Sequence, residues 1–424
     1  MTAVRAPLRS AEVIAVGSEL LGATRLDTNS LFLSERLASL GIVLRAKAVV
    51  GDSREDLSAL FSQALGRSDL VITTGGLGPT DDDLTRDVVA AALGLQLEEN
   101  AAIVARIAER FARRGLRMPD VNRRQAMVPS GAVVLNNPHG TAPGLFIDHG
   151  GRVVVLLPGP PRELQPMMDA LIAGALSERA GGERLFRTTL AVTGRSESHV
   201  EEAAQPIYSA WRDATPPIET TILAVPGQIE LHLTLRSSDE AGARQKLTSA
   251  RDALVAALGD DVFSIDGRAM EEIVGDLLRA RQLTVAVAES CTGGLLTSRL
   301  TDVPGSSTYV LAGVAAYSNA AKTELAGVPA SLLEAHGAVS EPVAEALARG
   351  IMARTGANLG IGVTGIAGPG GATPGKPVGT VAIAVARDGG SAMVRTFGFP
   401  GGRAQVKFSA TQAALDMLRR LLSQ

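Results

Sequence analysis

The sequence predicts an α/β protein: two βαβ-type three-layer domains joined by a small α+β module. Three observations carry this. Short apolar runs at 13–16, 69–73 and 153–157 each end in a glycine-bearing turn and are followed by polar-apolar stretches of helical period. From about 180 to 260 the pattern changes, and Ile229, Leu231, Leu233 and Leu235 alternate with Glu230, His232, Thr234 and Arg236, as in a sheet wet on one face. From about 268 the buried-strand-then-helix pattern returns.

In chain order, the first strand spans 13–16 and stops at Gly17. A helix over 29–40 is ended by Gly41, and a second strand covers 42–50. Ser53 caps a helix to about 66, with Asp56 three residues on. The strand at 69–73 runs into Thr74-Gly75-Gly76-Leu77-Gly78-Pro79-Thr80, and a long helix is expected over 98–114. The strand at 153–157 leads through Pro158-Gly159-Pro160-Pro161 into another helix. The middle reads as strand 185–193, helix 197–207, strands 218–225 and 229–236 about a Pro226-Gly227 hairpin, and helix 239–258. In the last third, helices are expected at 269–281, 293–302, 341–355 and 403–422, and strands at 283–288, 308–316, 358–364 and 379–386. The resulting domains are 1–178, 179–261 and 262–424, in line with a length of 424 residues.

Composition narrows the function. A net charge of −3 with no long basic run weighs against nucleic acid as an electrostatically driven partner. A single cysteine, Cys291, excludes an intrachain disulfide framework and a cysteine-rich metal site. No apolar run reaches membrane-spanning length and no basic-then-apolar leader opens the chain, so a cytoplasmic protein is expected, with no membrane partner. Sheets rich in glycine and alanine often pair, and a homodimer is expected.

The strongest chemical signal is Ala288-Glu289-Ser290-Cys291-Thr292-Gly293-Gly294, between a buried strand and a helix. Such a turn presents a hydroxyl at the sheet edge and aims free backbone N–H groups at what approaches. Ser290 is the candidate nucleophile. Cys291, beginning a helix behind a strand, reads instead as a buried and inert thiol. A serine needs a base, and the only histidine of this domain, His336, reads as a structural or surface residue. Lys322 or Tyr317 must then move the proton, as in Ser-Lys variants of the triad. A lysine starts near pKa ~10.4, so acting at neutrality demands roughly 4 kcal/mol of bias toward the neutral amine. Taken alone, Lys322 also suits a solvated helix face. The loop Thr364-Gly365-Ile366-Ala367-Gly368-Pro369-Gly370-Gly371 and Arg403 at a helix start suit an anionic, phosphate-bearing substrate. In the first domain, Asp81, Asp82 and Asp83 follow the glycine loop, as an Mg²⁺-assisted phosphate site would have them, although acidic residues also serve as charge compensation where a helix opens.

These motifs resemble the CinA family (competence/damage-inducible protein A) over essentially the whole chain. Gly17-Ser18-Glu19-Leu20, Asp27-Thr28-Asn29-Ser30 and the 73–82 loop are similar to the MoaB/MogA-type molybdopterin-binding domain. The middle resembles that family's small KH-like module, although Gly194-Arg195-Ser196-Glu197 is not a GXXG loop. The last domain resembles nicotinamide-mononucleotide (NMN) deamidase through Glu289 to Gly294, Tyr317 to Lys322, Thr364 to Pro369 and Lys376-Pro377-Val378-Gly379-Thr380-Val381. The resemblance implies hydrolysis of NMN to nicotinate mononucleotide and ammonia in pyridine nucleotide salvage. It implies Ser290 as nucleophile, Tyr317 and Lys322 in proton transfer, and Thr292, Gly293, Thr364, Gly365, Gly368 and Arg403 around the substrate, with no cofactor. For the first domain it implies metal-dependent ADP-ribose pyrophosphatase activity. There Gly75, Gly76, Asp27 and Asn29 would bind substrate, and Asp81, Asp82 and Asp83 would bind Mg²⁺, Mn²⁺ or Co²⁺. The alternative is a molybdopterin- or nucleotide-binding protein, or a competence-related interaction protein, with a vestigial C-terminal domain.

Overall fold

The computed structural model describes residues 6–423. The chain divides into two compact units, 1–186 with 236–243, and 187–235 with 244–424. Among the described residues no helix is long and apolar enough to cross a membrane.

The first unit contains β1 (Ser10–Val16), α1 (Asn29–Ser39), β2 (Val43–Val50), α2 (Arg54–Arg67), β3 (Leu70–Thr74), α3 (Thr85–Leu93), β4 (Leu97–Glu99), α4 (Ala101–Ala112), β5 (Met127–Pro129), β6 (Val133–Leu135), β7 (Gly144–His149), β8 (Arg152–Leu157) and α5 (Pro161–Ala173). Its six-stranded sheet has the order β2-β1-β3-β8-β7-β6. The first four strands are parallel, and β7 and β6 are antiparallel additions. Strand alternation makes the three layers. Val13, Leu70, Ile72, Val153 and Val155 point into one core with Leu33, Leu37 and Met168. Ile14, Val71, Val154 and Leu156 point into the other with Leu57, Phe61 and Val89. Each such side chain contributes roughly 1.5–3 kcal/mol by leaving water. The helix expected over 98–114 is shorter, because Leu97–Glu99 pairs with β5 and Asn100 caps α4, its Oδ1 accepting from the N–H groups of Ala102 and Ile103.

The second unit continues from β9 (Arg184–Val192) through α6 (Glu197–Tyr208), β10 (Ile218–Val225), β11 (Gln228–Ser237), α7 (Glu240–Leu258) and β12 (Val262–Ser264). These strands form a sheet of order β10-β11-β9-β12. The first residues of the domain expected at 262–424 supply β12, which pairs antiparallel with β9, so this small sheet runs past residue 261. Then follow α8 (Met270–Arg281), β13 (Val285–Glu289), α9 (Leu295–Asp302), β14 (Val310–Ala315), α10 (Asn319–Ala326), α11 (Ala330–His336), α12 (Glu341–Thr355), β15 (Leu359–Gly365), β16 (Thr380–Arg387), β17 (Met393–Gly398) and α13 (Arg403–Ser423). The sheet order is β14-β13-β15-β16-β17, with β14, β13 and β15 parallel and the last two strands antiparallel. One face is bulky: Val285, Val287, Ile361, Val363, Ile383 and Val385 pack on Val274, Leu296, Val406 and Leu415 of α8, α9 and α13. The other face is small. A Cβ on Gly360 or Gly362 would stand 2.1 Å from the carbonyl oxygen of Ala348 or Ala344, so α12 lies directly on the sheet. The abundance of glycine and alanine is thus a packing requirement of this layer.

Candidate active site

Both units place a cavity where the chain leaves a central parallel strand and its neighbours diverge, the usual ligand edge of such sheets. In the second unit that strand is β13, flanked by β14 and β15. A cavity of about 260 Å³ is lined by Ser290 and Cys291 after β13, Tyr317, Asn319 and Lys322 after β14, Thr364 and the 365–371 loop at β15, and Arg403 at the start of α13. Ala338 and Val339 form a further wall.

Ser290 is buried, and its backbone N–H donates to the Val363 carbonyl at 2.8 Å. Lys322 is one turn into α10, whose N-terminus is capped by the Ser318 hydroxyl. Lys322 is 2% exposed, and its Nζ lies 3.0 Å from Ser290 Oγ. Nζ also donates to the carbonyl oxygens of Ala316 and Tyr317, each at 3.2 Å. Two N–H bonds to carbonyls thus orient the third valence of the nitrogen at the serine oxygen. Burial pushes the lysine below its ordinary value, opposed by the neighbouring Cys291. Burial pushes the Cys291 thiol up to about 11.

The turn itself differs from expectation. The N–H groups at the start of α9 are not free for a ligand. Glu289, fully buried at the end of β13, accepts from Gly294 N–H at 3.1 Å, Leu296 N–H at 3.0 Å, Thr297 N–H at 2.8 Å and the Thr297 hydroxyl at 2.7 Å. Gly294 makes the approach with φ at +92°, a left-handed conformation that side chains resist. Thr292 and Gly293, expected around the substrate, are not among the cavity-lining residues, and Thr292 is wholly buried behind the turn. Thr364 faces the cavity, but its hydroxyl donates to Ala338 O at 2.7 Å and holds the wall loop, as does Lys376 through Val339 O. Tyr317 supplies its carbonyl to Lys322, while its exposed phenol oxygen accepts from Arg403 Nη2 at 2.9 Å. Arg403 is anchored at the rim by a second bond, from Nη1 to Gly368 O at 2.8 Å. Gly365 and Gly368 line the cavity as expected for backbone close to substrate, and Asn319 joins them unanticipated, although it lies in the same motif as Lys322.

In the first unit, a crevice of about 640 Å³ opens at the end of β1, beside β3. Gly75, Gly76, Asp27 and Asn29 line it with Glu19, Asp52, Asp82, Asp83 and Glu163. Gly75, with φ at +92°, permits the loop to cross β1: a Cβ there would be 2.2 Å from Val16 O. Asp27 accepts from the Ser30 N–H at 3.0 Å and from its hydroxyl, at the start of α1. The three consecutive aspartates do not converge. The helix opens only at Thr85, after them. Asp81 points away, paired with Arg124 at 2.5 Å. Asp83 accepts from Gly78 N–H at 2.7 Å and from the N–H and hydroxyl of Thr80 at 2.9 and 2.5 Å, which makes it a loop clasp. Of the three, Asp82 alone stays exposed in the crevice. Among the described residues no group of three or more His, Cys, Asp or Glu side chains is arranged to hold a metal ion. Arg86 is the residue that sequence reasoning missed. Buried in α3, it donates to Leu77 O at 2.6 Å and Gly78 O at 2.9 Å and locks the glycine loop from beneath, and burial lowers its pKa to about 10.

Comparison with known proteins covers both units. The family described as "CinA C-terminal domain" matches residues 267–422, and the one described as "Probable molybdopterin binding domain" matches 12–178. A CinA-like protein of Koribacter versatilis is 46% identical over 416 residues, 97% of this chain and 99% of its own length. A putative competence-damage inducible protein of Symbiobacterium thermophilum is 45% identical over 423 residues, 97% of this chain and 98% of its own. Among solved structures, the competence/damage inducible protein of Agrobacterium tumefaciens is 36% identical, with a TM-score of 0.35, over 37% of this chain and 98% of that one.

Proposed function

The chain belongs to the CinA family, and from that premise and the Ser290 cavity we propose that its second unit is an amidohydrolase converting NMN to nicotinate mononucleotide and ammonia. The observation that supports it most is the 3.0 Å contact of Lys322 Nζ with Ser290 Oγ in the wall of this cavity. Neutral Lys322 takes the hydroxyl proton as Oγ attacks the carboxamide carbon. In this reading the backbone N–H of Cys291, next after the nucleophile, is the donor to the developing oxyanion. The lysine ammonium then gives its proton to the leaving nitrogen, and ammonia departs from an acyl-serine. Water, deprotonated by the same lysine, releases nicotinate mononucleotide and restores Ser290. The decisive experiment is ammonia release on mixing the purified chain with NMN, and its absence at any pH from 6 to about 10 would sink the assignment.

Arg403 holds the substrate phosphate at the rim in this reading. A lost charge-assisted hydrogen bond costs roughly 1.5–3 kcal/mol, so Arg403→Ala should raise KM for NMN about 10- to 100-fold. Nicotinamide riboside, which lacks the phosphate, should be little affected. An equal penalty on both would mean that Arg403 acts through Tyr317 and Gly368.

For the first unit we propose metal-dependent hydrolysis of a pyrophosphate ligand of the ADP-ribose type. Support comes from the crevice at the glycine loop, with the open carboxylate of Asp82 and the unpartnered buried Oδ1 of Asn29 among its oxygen donors. Such hard donors suit Mg²⁺, Mn²⁺ or Co²⁺ bound partly through substrate phosphates, which would neutralise pyrophosphate charge. Asp82→Asn should lower ADP-ribose turnover without changing NMN deamidation. If ADP-ribose survives with all three cations, the molybdopterin- or nucleotide-carrier reading, which the family match over 12–178 favours, takes its place.

A further inference from the structure

Glu289 precedes the nucleophile, is 0% exposed, and touches neither Ser290 nor Lys322 by any hydrogen bond of the structure. The hydrogen bonds of its carboxylate go to the first turn of α9 and to the Thr297 hydroxyl. The arrangement closes residues 290–293 into a loop pinned at both ends. One end is the ladder of β13 to β15, ending in the Ser290 N–H bond to Val363 O. The other is the carboxylate, which occupies the place at the helix N-terminus where a ligand anion would otherwise sit. Gly313 of β14 leaves the room that the Thr297 hydroxyl needs, since a Cβ there would stand 2.1 Å from Thr297 Oγ1. The buried carboxylate thus fixes the start of α9 and, with β13, both ends of the nucleophile turn.

We propose that Glu289 is a positioning residue for the hydrolysis: as the internal anion of α9 it holds Ser290 Oγ in register with Lys322 and keeps the substrate phosphate away from this helix end, on the Arg403 side. The inference rests on the reading of Ser290 as nucleophile. In Glu289→Gln one carboxylate oxygen becomes an NH₂ facing backbone N–H donors, so the turn loses part of its clamp with almost no change in volume. A displacement of the nucleophile by about 1 Å costs on the order of 100-fold in rate. Glu289→Gln should therefore lower kcat about 10- to 100-fold and leave KM for NMN within about threefold, because the Arg403 rim is untouched. Thr297→Val, which removes only the hydroxyl donor, should lower kcat by a smaller factor with the same unchanged KM. It also decides the matter if Glu289→Gln does not fold.

The test pairs steady-state kinetics on NMN with the rate at which a serine-directed phosphonofluoridate labels Ser290, followed by intact mass on the full chain. Parallel loss of kcat and labelling rate, at constant KM and with the folded state confirmed by circular dichroism, supports the proposal. Wild-type labelling without NMN turnover, slowed in the variants, removes NMN as substrate and leaves Glu289 in its role. Variants that turn over and label like wild type, or a loss confined to KM, overturn the role and leave the NMN reading standing. A wild-type chain that neither labels nor turns over removes both.

Discussion

Ser290→Ala is expected to abolish ammonia release from NMN, with a fall in kcat of several orders of magnitude, while Cys291→Ala keeps activity within a few-fold. The two residues share one turn and line one cavity. A general disturbance of the fold would therefore strike both. What separates them is the partner and the protonation state. Ser290 Oγ has Lys322 Nζ at 3.0 Å. The Cys291 thiol, packed into the core with Leu296, Val363 and Val406, is raised to about 11, so that only on the order of one molecule in ten thousand carries a thiolate at pH 7. Loss of the Cys291 sulfur is a packing change of about 1–3 kcal/mol in stability and leaves the reacting atoms in place. The measurement is kcat for both variants, with circular dichroism confirming that each is folded. A Ser290 variant that keeps more than about a tenth of the activity, beside a dead Cys291 variant, would transfer the nucleophile's role to the thiol.

Lys322→Ala is expected to match Ser290→Ala in its effect on kcat. Raising the pH should restore little, because the positioned acceptor is gone and solvent base does not replace it. In the proposed reaction the wild-type chain uses the neutral amine. Burial favours that form and lowers the folded-state value beneath the ordinary ~10.4. Activity should therefore rise with pH along a limb centred below the ordinary lysine range, and be lost as pH falls through the folded-state value and the amine is protonated. The stability contribution has the same sign. It is complete above the unfolded-state value of ~10.4 and declines as pH falls through the depressed folded-state value, where the ammonium must be held in the interior. A pH profile of kcat/KM for NMN checks the limb. A limb at or above the ordinary lysine range would mean that Lys322 serves as a fixed cation and that another group takes the serine proton.

Much of this architecture is legible in the sequence, for identifiable reasons. Val285 to Glu289 reads as a buried strand because both faces of that sheet are covered, by α8, α9 and α13 on one side and by α12 on the other. The hairpin at Pro226-Gly227 is found where expected, since proline followed by a glycine with φ at +75° leaves the chain few other paths. The strands Met127–Pro129, Val133–Leu135 and Met393–Gly398 are not legible. Two are three residues long, too short to display a period, and Met393–Gly398 lies half-exposed at the sheet edge, where apolar residues are not required.

By itself, then, the sequence determined which candidate groups the chain offers and which turns present them: a serine on a strand-to-helix turn, a lysine on the next helix, and a glycine loop followed by aspartates. These follow from local rules of period, capping and backbone freedom, which act over a few neighbouring residues. Only the tertiary structure decided which partners those groups meet. Lys322 meets Ser290, 32 residues away in the chain, because β13 and β14 lie side by side. Asp81 and Asp83 are diverted to Arg124 and to the Gly78–Thr80 backbone, and Arg86 secures the glycine loop. The physical reason is that a buried polar group must find a partner wherever the fold places one. Partner choice is therefore set by packing across the sheet, which no run of neighbouring residues encodes.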